Sequence, residues 1–190
     1  MESYLQQKPS NCIKIVLFGP ESTGKSTLAQ ELAKHYNTNF VKEFAREYLQ
    51  EKWDNHKKVC ELEDLIPIAK GQIKNENKAT LLANKILFCD TDLLTTATYS
   101  KLYFDGYCDP SLEKFAKLNC YDLYLLMDID TKWVKDDLRD RPNKRKYFFD
   151  FFKKTLVDNK KKYRIISGDI KKRKTLAIDY INNFLNLHKI

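Results

Sequence analysis

Glycine and proline are scarce in this chain, five of each in 190 residues, which excludes collagen-like, mucin-like and low-complexity classes. Long apolar runs are missing too. Runs such as Ile15–Phe18 and Ile86–Cys89 fall far short of the roughly 18 residues that span a membrane, so no membrane partner is expected. The opening Met-Glu-Ser-Tyr-Leu-Gln-Gln lacks the charged and apolar regions of a signal peptide. Five cysteines (Cys12, Cys60, Cys89, Cys108, Cys120) make an odd count with no CxxC pair. Cys12 and Cys89 lie in apolar, strand-like runs, where buried reduced thiols are expected. His35, His56 and His188 are scattered, so no zinc-type ligand set exists. What is present, 43% hydrophobic and 13% aromatic residues, is too much for a disordered chain. The expectation is one reduced, cytoplasmic, globular domain spanning residues 1–190, with 1–11 as an N-terminal tail.

Charge of one sign is abundant but local. Between Arg139 and Lys174 stand fifteen Lys/Arg against four Asp, a balance of +11 inside a chain whose net charge is +8. The rest is therefore slightly acidic. Such a stretch suits a nucleic-acid face, a helix with a solvated cationic side, or a lid over phosphates.

Short apolar runs alternate with helical spacing along the chain. Strands are predicted at Cys12–Phe18, Asn39–Val41, Ile86–Cys89, Tyr121–Met127 and Tyr163–Ile166. Helices are predicted at Ser26–Tyr36, Phe44–Lys52, Leu62–Asn84, from the third strand through Tyr103, and at Leu112–Leu118, Arg145–Lys162 and Leu176–Leu187. Pro67 is tolerated in the long third helix only within its first turn. Phe104–Pro110 is expected to be a loop. Strands separated by helices imply an α/β fold: a five-stranded parallel sheet with helices on both faces, joined by right-handed crossovers. Ligands of such sheets gather at the carboxyl ends of the strands.

The segments at those strand ends therefore carry the chemistry. After the first strand comes Gly19-Pro20-Glu21-Ser22-Thr23-Gly24-Lys25-Ser26, a GxxxxGK[ST] loop between a strand and a helix. Glycines let backbone N–H groups curl around phosphate oxygens, Lys25 can reach the β- and γ-phosphates, and Ser26 can ligate Mg²⁺. The expected fold is therefore that of a P-loop NTPase. After the third strand comes Asp90-Thr91-Asp92, able to hold Mg²⁺ or its water shell, or to cap a helix. After the second comes Glu43-Phe44-Ala45-Arg46-Glu47. Glu43 could take a proton from a hydroxyl or hold a diol and Arg46 could grip phosphate; alternatively this is a solvated helix face. After the fourth comes Asp128–Arg145, with Trp133, Asp136, Asp137, Arg139, Arg141 and Arg145, a small lid segment expected at about 132–146. Trp133 could stack on a ring or simply pack. Lys160–Lys162 and Lys171–Lys174 are expected to form a solvated rim. No [NT]KxD guanine motif succeeds the fourth strand, and the length suits no oligomeric mechanical ATPase. Layout and size favour a small-molecule kinase.

The motifs GPESTGKSTL at Gly19–Leu28, EFAREYL at Glu43–Leu49, FCDTDLLTT at Phe88–Thr96 and WVKDDLR at Trp133–Arg139 resemble the nicotinamide riboside kinase domain of the NadR-type NAD-salvage family. The similarity in order and spacing runs from about Lys14 to Ile181. The resemblance implies ATP- and Mg²⁺-dependent phosphorylation of the ribose 5′-hydroxyl of nicotinamide riboside, giving nicotinamide mononucleotide. It implies an ATP loop over Gly19, Glu21, Ser22, Thr23, Gly24, Lys25, Ser26 and Thr27, with Asp90 on the metal side. It implies that Glu43, Arg46 and Asp92 face the riboside and that Arg139 sits on the lid. Catalytic roles are thus expected for Lys25, Asp90, Asp92, Glu43 and Arg139, metal contacts for Ser26 and Asp90, and substrate contacts for Glu43, Arg46, Asp92 and Trp133. The family pattern WVxDGLR has glycine where Asp137 stands here. Some members carry adenylyltransferase or DNA-binding domains; with about a dozen residues ahead of the first strand, neither is expected in this chain. No nucleic-acid partner is expected. The rival expectations are a kinase of another nucleoside or nucleotide, and a nucleotide-dependent regulatory or nucleic-acid-binding module using the basic third.

Overall fold

Apolar side chains on both sides of the same strand leave it no solvent face, and that decides the architecture. The computed structural model describes residues 3–139 and 141–187. Its elements are β1 (Ile13–Phe18), α1 (Lys25–His35), β2 (Phe40–Val41), α2 (Phe44–His56), α3 (Leu65–Thr80), β3 (Ile86–Asp90), α4 (Leu93–Tyr103), α5 (Pro110–Leu118), β4 (Leu123–Met127), α6 (Arg145–Asp158), β5 (Tyr163–Ile166) and α7 (Ile170–Leu187). All strand pairs are parallel, in the order β2-β3-β1-β4-β5. Ile13, Ile15 and Leu17 of β1 pack with α1 and α7, while Val16 and Phe18 pack with α3, α4 and α6. The fold is the expected one: a five-stranded parallel sheet with helices on both faces.

The chain leaves β1 toward β3 and β2, and after β3 it crosses back to β4 and β5. The switch point lies between the carboxyl ends of β1 and β3, where Leu17 pairs with Asp90. A polar cluster sits inside the core beside β1. Lys14 of β1 donates to Glu76 of α3 at 2.8 Å, and Glu76, fully buried, also accepts from Tyr121 at 2.7 Å and Gln7 at 2.7 Å. Those partners satisfy a carboxylate that would otherwise be costly to bury. Leu5, in a short 3-10 turn at Ser3–Leu5, is fully buried, so the segment before β1 is anchored to the core.

Several expected boundaries shift. The long helix expected over Leu62–Asn84 starts as a 3-10 turn, Leu62–Asp64, and α3 ends at Thr80, with Pro67 in its first turn. The last helix begins at Ile170 rather than Leu176, because Asp169 caps it by accepting from the Lys172 amide at 2.9 Å. All five cysteines are free, with Cys89 and Cys108 buried and Cys12 half-buried. Among the described residues, no helix is long and apolar enough to cross a membrane.

The turn into α3 carries its own ion pair. Buried Asp64 accepts from Lys52 at 2.6 Å, from the Glu61 amide at 2.7 Å and from Tyr48 at 3.1 Å. Burial pushes its carboxyl up, but these three donors outweigh burial and hold it below the usual carboxylate range. A depressed folded pKa stabilises the fold above the unfolded value of about 3.9 and is lost as pH falls through the folded one. Asp64→Asn is therefore expected to lower stability at pH 7 by about 1–3 kcal/mol. Denaturant titrations of the two proteins should converge as pH drops below about 4; a constant gap across pH would contradict this role.

Candidate active site

The loop after β1 turns sharply where its backbone meets a neighbouring strand. At Gly19 (φ +133°) a Cβ would stand 3.1 Å from the Met127 carbonyl oxygen of β4, so a side chain there would be both strained and crowded. The Lys25 ammonium donates to the carbonyls of Gly19 at 3.0 Å and Pro20 at 2.8 Å, and the Thr23 hydroxyl donates to Pro20 at 2.7 Å. The helix cap is Gly24 (φ +79°), which has no side chain to occupy the α1 N-terminus. The first N–H groups of α1 lack intrahelical acceptors and sit at the positive end of the helix dipole. This is a built anion cradle. Lys25 itself is buried, on the first residue of α1, rather than on open loop.

Asp90 ends β3 beside this cradle and is 1% exposed. Its Oδ1 is buried without a hydrogen-bond partner. Burial first, and then the Glu43 carboxylate, push its pKa up to about 7, against the opposing pull of Lys25 and the Ser26 hydroxyl. The Asp90 carboxyl with its orphaned oxygen, the neighbouring Glu43 carboxylate and the Ser26 hydroxyl form an oxygen donor set. Mg²⁺ fits it, since that ion takes only one or two protein oxygens and fills the rest from phosphates and water. Among the described residues there is no larger His/Cys/Asp/Glu cluster that could hold a metal.

Glu43 is the N-cap of α2 but makes no side-chain capping bond, leaving its half-buried carboxylate available. It also lies near Tyr99 of α4, as does Glu21. Asp92 behaves differently from expectation. It is fully buried; Oδ1 caps α4 through the Thr95 amide at 2.9 Å and hydroxyl at 2.8 Å, and Oδ2 accepts from Tyr124 at 2.8 Å. Its carboxylate is turned into the core and does not face an acceptor. Of the two readings open at Asp90-Thr91-Asp92, capping belongs to Asp92 and the metal-side carboxylate fits Asp90.

The segment after β4 lies across the phosphate loop. Thr131 donates to the Ser22 carbonyl at 2.8 Å, and the Val134 amide donates to the Ser22 hydroxyl at 3.0 Å. Arg145 donates to the Thr131 carbonyl at 2.7 Å and reaches the Ser22 carbonyl at 3.5 Å, with one face of Trp133 beneath its guanidinium at 5.7 Å. On the far side Arg46 pairs with Asp136 at 2.6 Å. Arg46, expected to contact substrate, here pairs with the segment after β4, and Trp133 is engaged in packing on one face. Arg139 donates to the Val134 carbonyl at 2.8 Å and sits 3.3 Å from Asp136, within the segment itself. Of these two arginines, Arg145 and not Arg139 reaches the Ser22 carbonyl of the phosphate loop. The lid expected at 132–146 includes residue 140, which lies outside the described residues.

One residue escaped the sequence reading. Arg173, placed in an expected solvated rim, is 2% exposed. Its guanidinium donates to the carbonyls of Thr23 at 2.5 Å, Gly168 at 2.7 Å and Asp128 at 2.9 Å, and pairs with the Asp130 carboxylate. It ties the phosphate loop to the ends of β4 and β5. The signal available was Ser167-Gly168-Asp169 after the fifth strand, a turn that starts a helix whose fourth residue is Arg173. Elsewhere in the basic third, Lys146, Lys154 and Lys174 pair with Asp150, Asp158 and Glu31.

Residues 14–173 match the AAA domain family. The trifunctional NAD biosynthesis/regulator protein NadR of Salmonella typhimurium is 33% identical over 132 residues, covering 70% of this chain and 32% of that protein. The chain thus spans about a third of the length of the curated relatives it matches. Among solved structures, NadR in complex with NR superposes with a TM-score of 0.74 at 24% identity, over 91% of this chain and 51% of that one. NadR in complex with NAD and AMP-PNP gives 0.73 at 23% identity, over 92% and 50%. At such identities the structural likeness carries the P-loop fold.

The raised pKa of Asp90 has a consequence for stability. Its folded value, about 7, exceeds the unfolded one, so the folded state loses stability as pH rises from about 4 through 7. Asp90→Asn is expected to melt at or above the wild-type temperature at pH 8 and level with it near pH 4. Melting curves in which the variant is the less stable protein at pH 8 would overturn this description of the site.

Proposed function

The chain belongs to the AAA domain family, and from that premise we propose that it is an ATP-dependent nucleoside kinase whose acceptor is nicotinamide riboside. One observation carries the reading. The Lys25 ammonium and Ser26 hydroxyl of a phosphate loop stand beside a buried, under-satisfied Asp90, with the uncommitted Glu43 carboxylate next to it. Phosphoryl transfer asks a protein mainly for positioning and for charge where charge develops.

The residues divide that work. The cradle at Gly19–Thr27 binds the phosphates of ATP through backbone N–H groups, and Lys25 neutralises the transferred group. Asp90 and Ser26 would hold Mg²⁺, which when bound supplies charge neutralisation across the phosphate oxygens. Glu43 accepts the proton from the attacking 5′-hydroxyl, a role we do not give Asp92, which is fully buried and hydrogen-bonded through both oxygens. Arg145 anchors the Thr131–Arg139 segment over the loop, where it excludes water from the reacting centre. Glu21, Glu43 and Asp90 give the acceptor end a carboxylate-rich character, with Tyr99 among them. A pyridinium nucleoside brings the opposite charge and a flat ring. That charge match favours nicotinamide riboside over a neutral nucleoside.

The test is ADP release from Mg²⁺-ATP across a panel of nucleosides that includes nicotinamide riboside. Nicotinamide riboside should give the highest kcat/KM, with nicotinamide mononucleotide as product. Lys25→Ala should lower turnover on the order of a thousandfold. Arg145→Ala should depress kcat more than Arg139→Ala, and replacing Lys160, Lys161 and Lys162 by alanine should leave it nearly unchanged. ADP release indifferent to the acceptor, or unaffected by Lys25→Ala, would defeat the proposal.

A further inference from the structure

Two strand ends supply the carboxylates of the proposed reaction, and a single side chain from a third element joins them. Gln72 of α3 is 2% exposed. Its Oε1 accepts from the Phe44 amide at 2.9 Å, and its Nε2 donates to the Thr91 carbonyl at 3.3 Å. Phe44 is the residue directly after Glu43, and Thr91 the one directly after Asp90. The two backbone groups ask for opposite partners, an acceptor for the amide and a donor for the carbonyl. Only a side chain carrying both, at this length, satisfies them together.

The surroundings are built to the same contact. The neighbouring residue on α3 is Gly71, where a Cβ would lie 2.1 Å from the Phe44 ring, so the start of α2 packs directly on the α3 backbone. Thr91 takes a left-handed backbone (φ +70°), uncommon for a branched residue and therefore in need of support. Its amide is held by the Leu17 carbonyl at 3.3 Å and its carbonyl by Gln72.

We propose that Gln72 is a positioning residue for phosphoryl transfer, its buried amide fixing the separation of Glu43 and Asp90 by bridging the peptide groups beside them. The proposal rests on the kinase reading of this site. Gln72 touches neither reactant. A loosened bridge would let the two carboxylates drift, and a misplacement of about 1 Å in such a site costs on the order of a hundredfold in rate.

The test compares Gln72→Met and Gln72→Glu with wild type. Gln72→Met keeps the length and loses both bonds; it should remain folded, bind ATP within about threefold of wild type, and lose kcat on the order of a hundredfold. Gln72→Glu carries a pH-dependent rescue. Its protonated carboxyl can accept from Phe44 and donate to Thr91, whereas its ionised form faces the Thr91 carbonyl with a second acceptor. The ratio of its kcat to that of wild type should therefore rise as pH is lowered from 8 to 5.5. The Gln72→Met ratio, with no titratable group introduced, should stay flat. Hydrogen exchange at the Phe44 amide should speed up in Gln72→Met, while the α1 amides stay as in wild type. A folded Gln72→Met with wild-type kcat, or a Gln72→Glu ratio flat in pH, overturns the positioning role while leaving the kinase reading intact. Absence of acceptor-dependent ADP release by wild type overturns the kinase reading itself, and this role with it.

Discussion

A single buried guanidinium holds the working edge of the sheet together. Parallel strands deliver their carboxyl ends to one edge, where each chain segment turns away and leaves carbonyls without ladder partners. Arg173 collects such carbonyls from the phosphate loop, the end of β4 and the turn after β5, and adds the Asp130 carboxylate. Its planar donors suit that convergence in a way a lysine ammonium would not. The loop that must stay open to phosphate is therefore fixed from behind, by contacts that do not use its amide face.

On the opposite side of β1 the same edge is electrostatically tense. Asp90 is buried with an unpartnered oxygen, and Glu43 raises its pKa further. Nothing in the fold requires this pair. Elsewhere the chain shows how it treats a carboxylate that serves only the fold: Glu76 is fully buried and satisfied by Lys14, Tyr121 and Gln7, and Asp64 by Lys52, Tyr48 and a backbone amide. The contrast sets Asp90 apart from them, and under the proposed function Asp90 and Glu43 are the groups kept for chemistry. Local rules are broken where function asks for it and obeyed elsewhere.

The fold was largely legible because the strands announce themselves. Each is short and mostly apolar; β5 falls at Tyr163–Ile166 as expected, and β1 within one residue. The order of strands was not legible, since pairing depends on contacts across the chain. At the site, the glycine-lysine-serine loop could be read because its backbone chemistry demands those letters. Asp92, expected to face the acceptor, instead caps α4, and in sequence an aspartate serving a ligand and one capping a helix look alike. The deciding partner, the Tyr124 hydroxyl, stands 32 residues further on. Arg173 was hidden for a related reason: Ile-Lys-Lys-Arg-Lys-Thr has no apolar period, so the first turns of α7 resemble a solvated charge run. Gln72 carried no signal at all, being one polar residue in a helix.

The lid segment shows how a departure from a family pattern can be neutral in backbone terms. Glycine at the position of Asp137 would be required if the chain needed a left-handed turn there. Among the described residues, the non-glycine positions with positive φ are Ser22, Asn37, Lys57, Lys85, Thr91, Asp105 and Lys160, and Asp137 is not one of them. Its backbone is ordinary, so the aspartate introduces no strain. Its side chain instead accepts from Gln50 of α2 at 3.3 Å, one turn along from the Arg46–Asp136 pair. Two consecutive aspartates therefore tether the segment to the same face of α2. Each tether is exposed or half-exposed, a setting in which ion pairs and hydrogen bonds are individually weak. A segment held by several weak ties to α2, and by Thr131, Val134 and Arg145 to the Ser22 end of the phosphate loop, can release on one side while keeping its register on the other. Under the proposed function, the outer attachment, on α2, is the one that would yield at little cost when substrates enter and products leave.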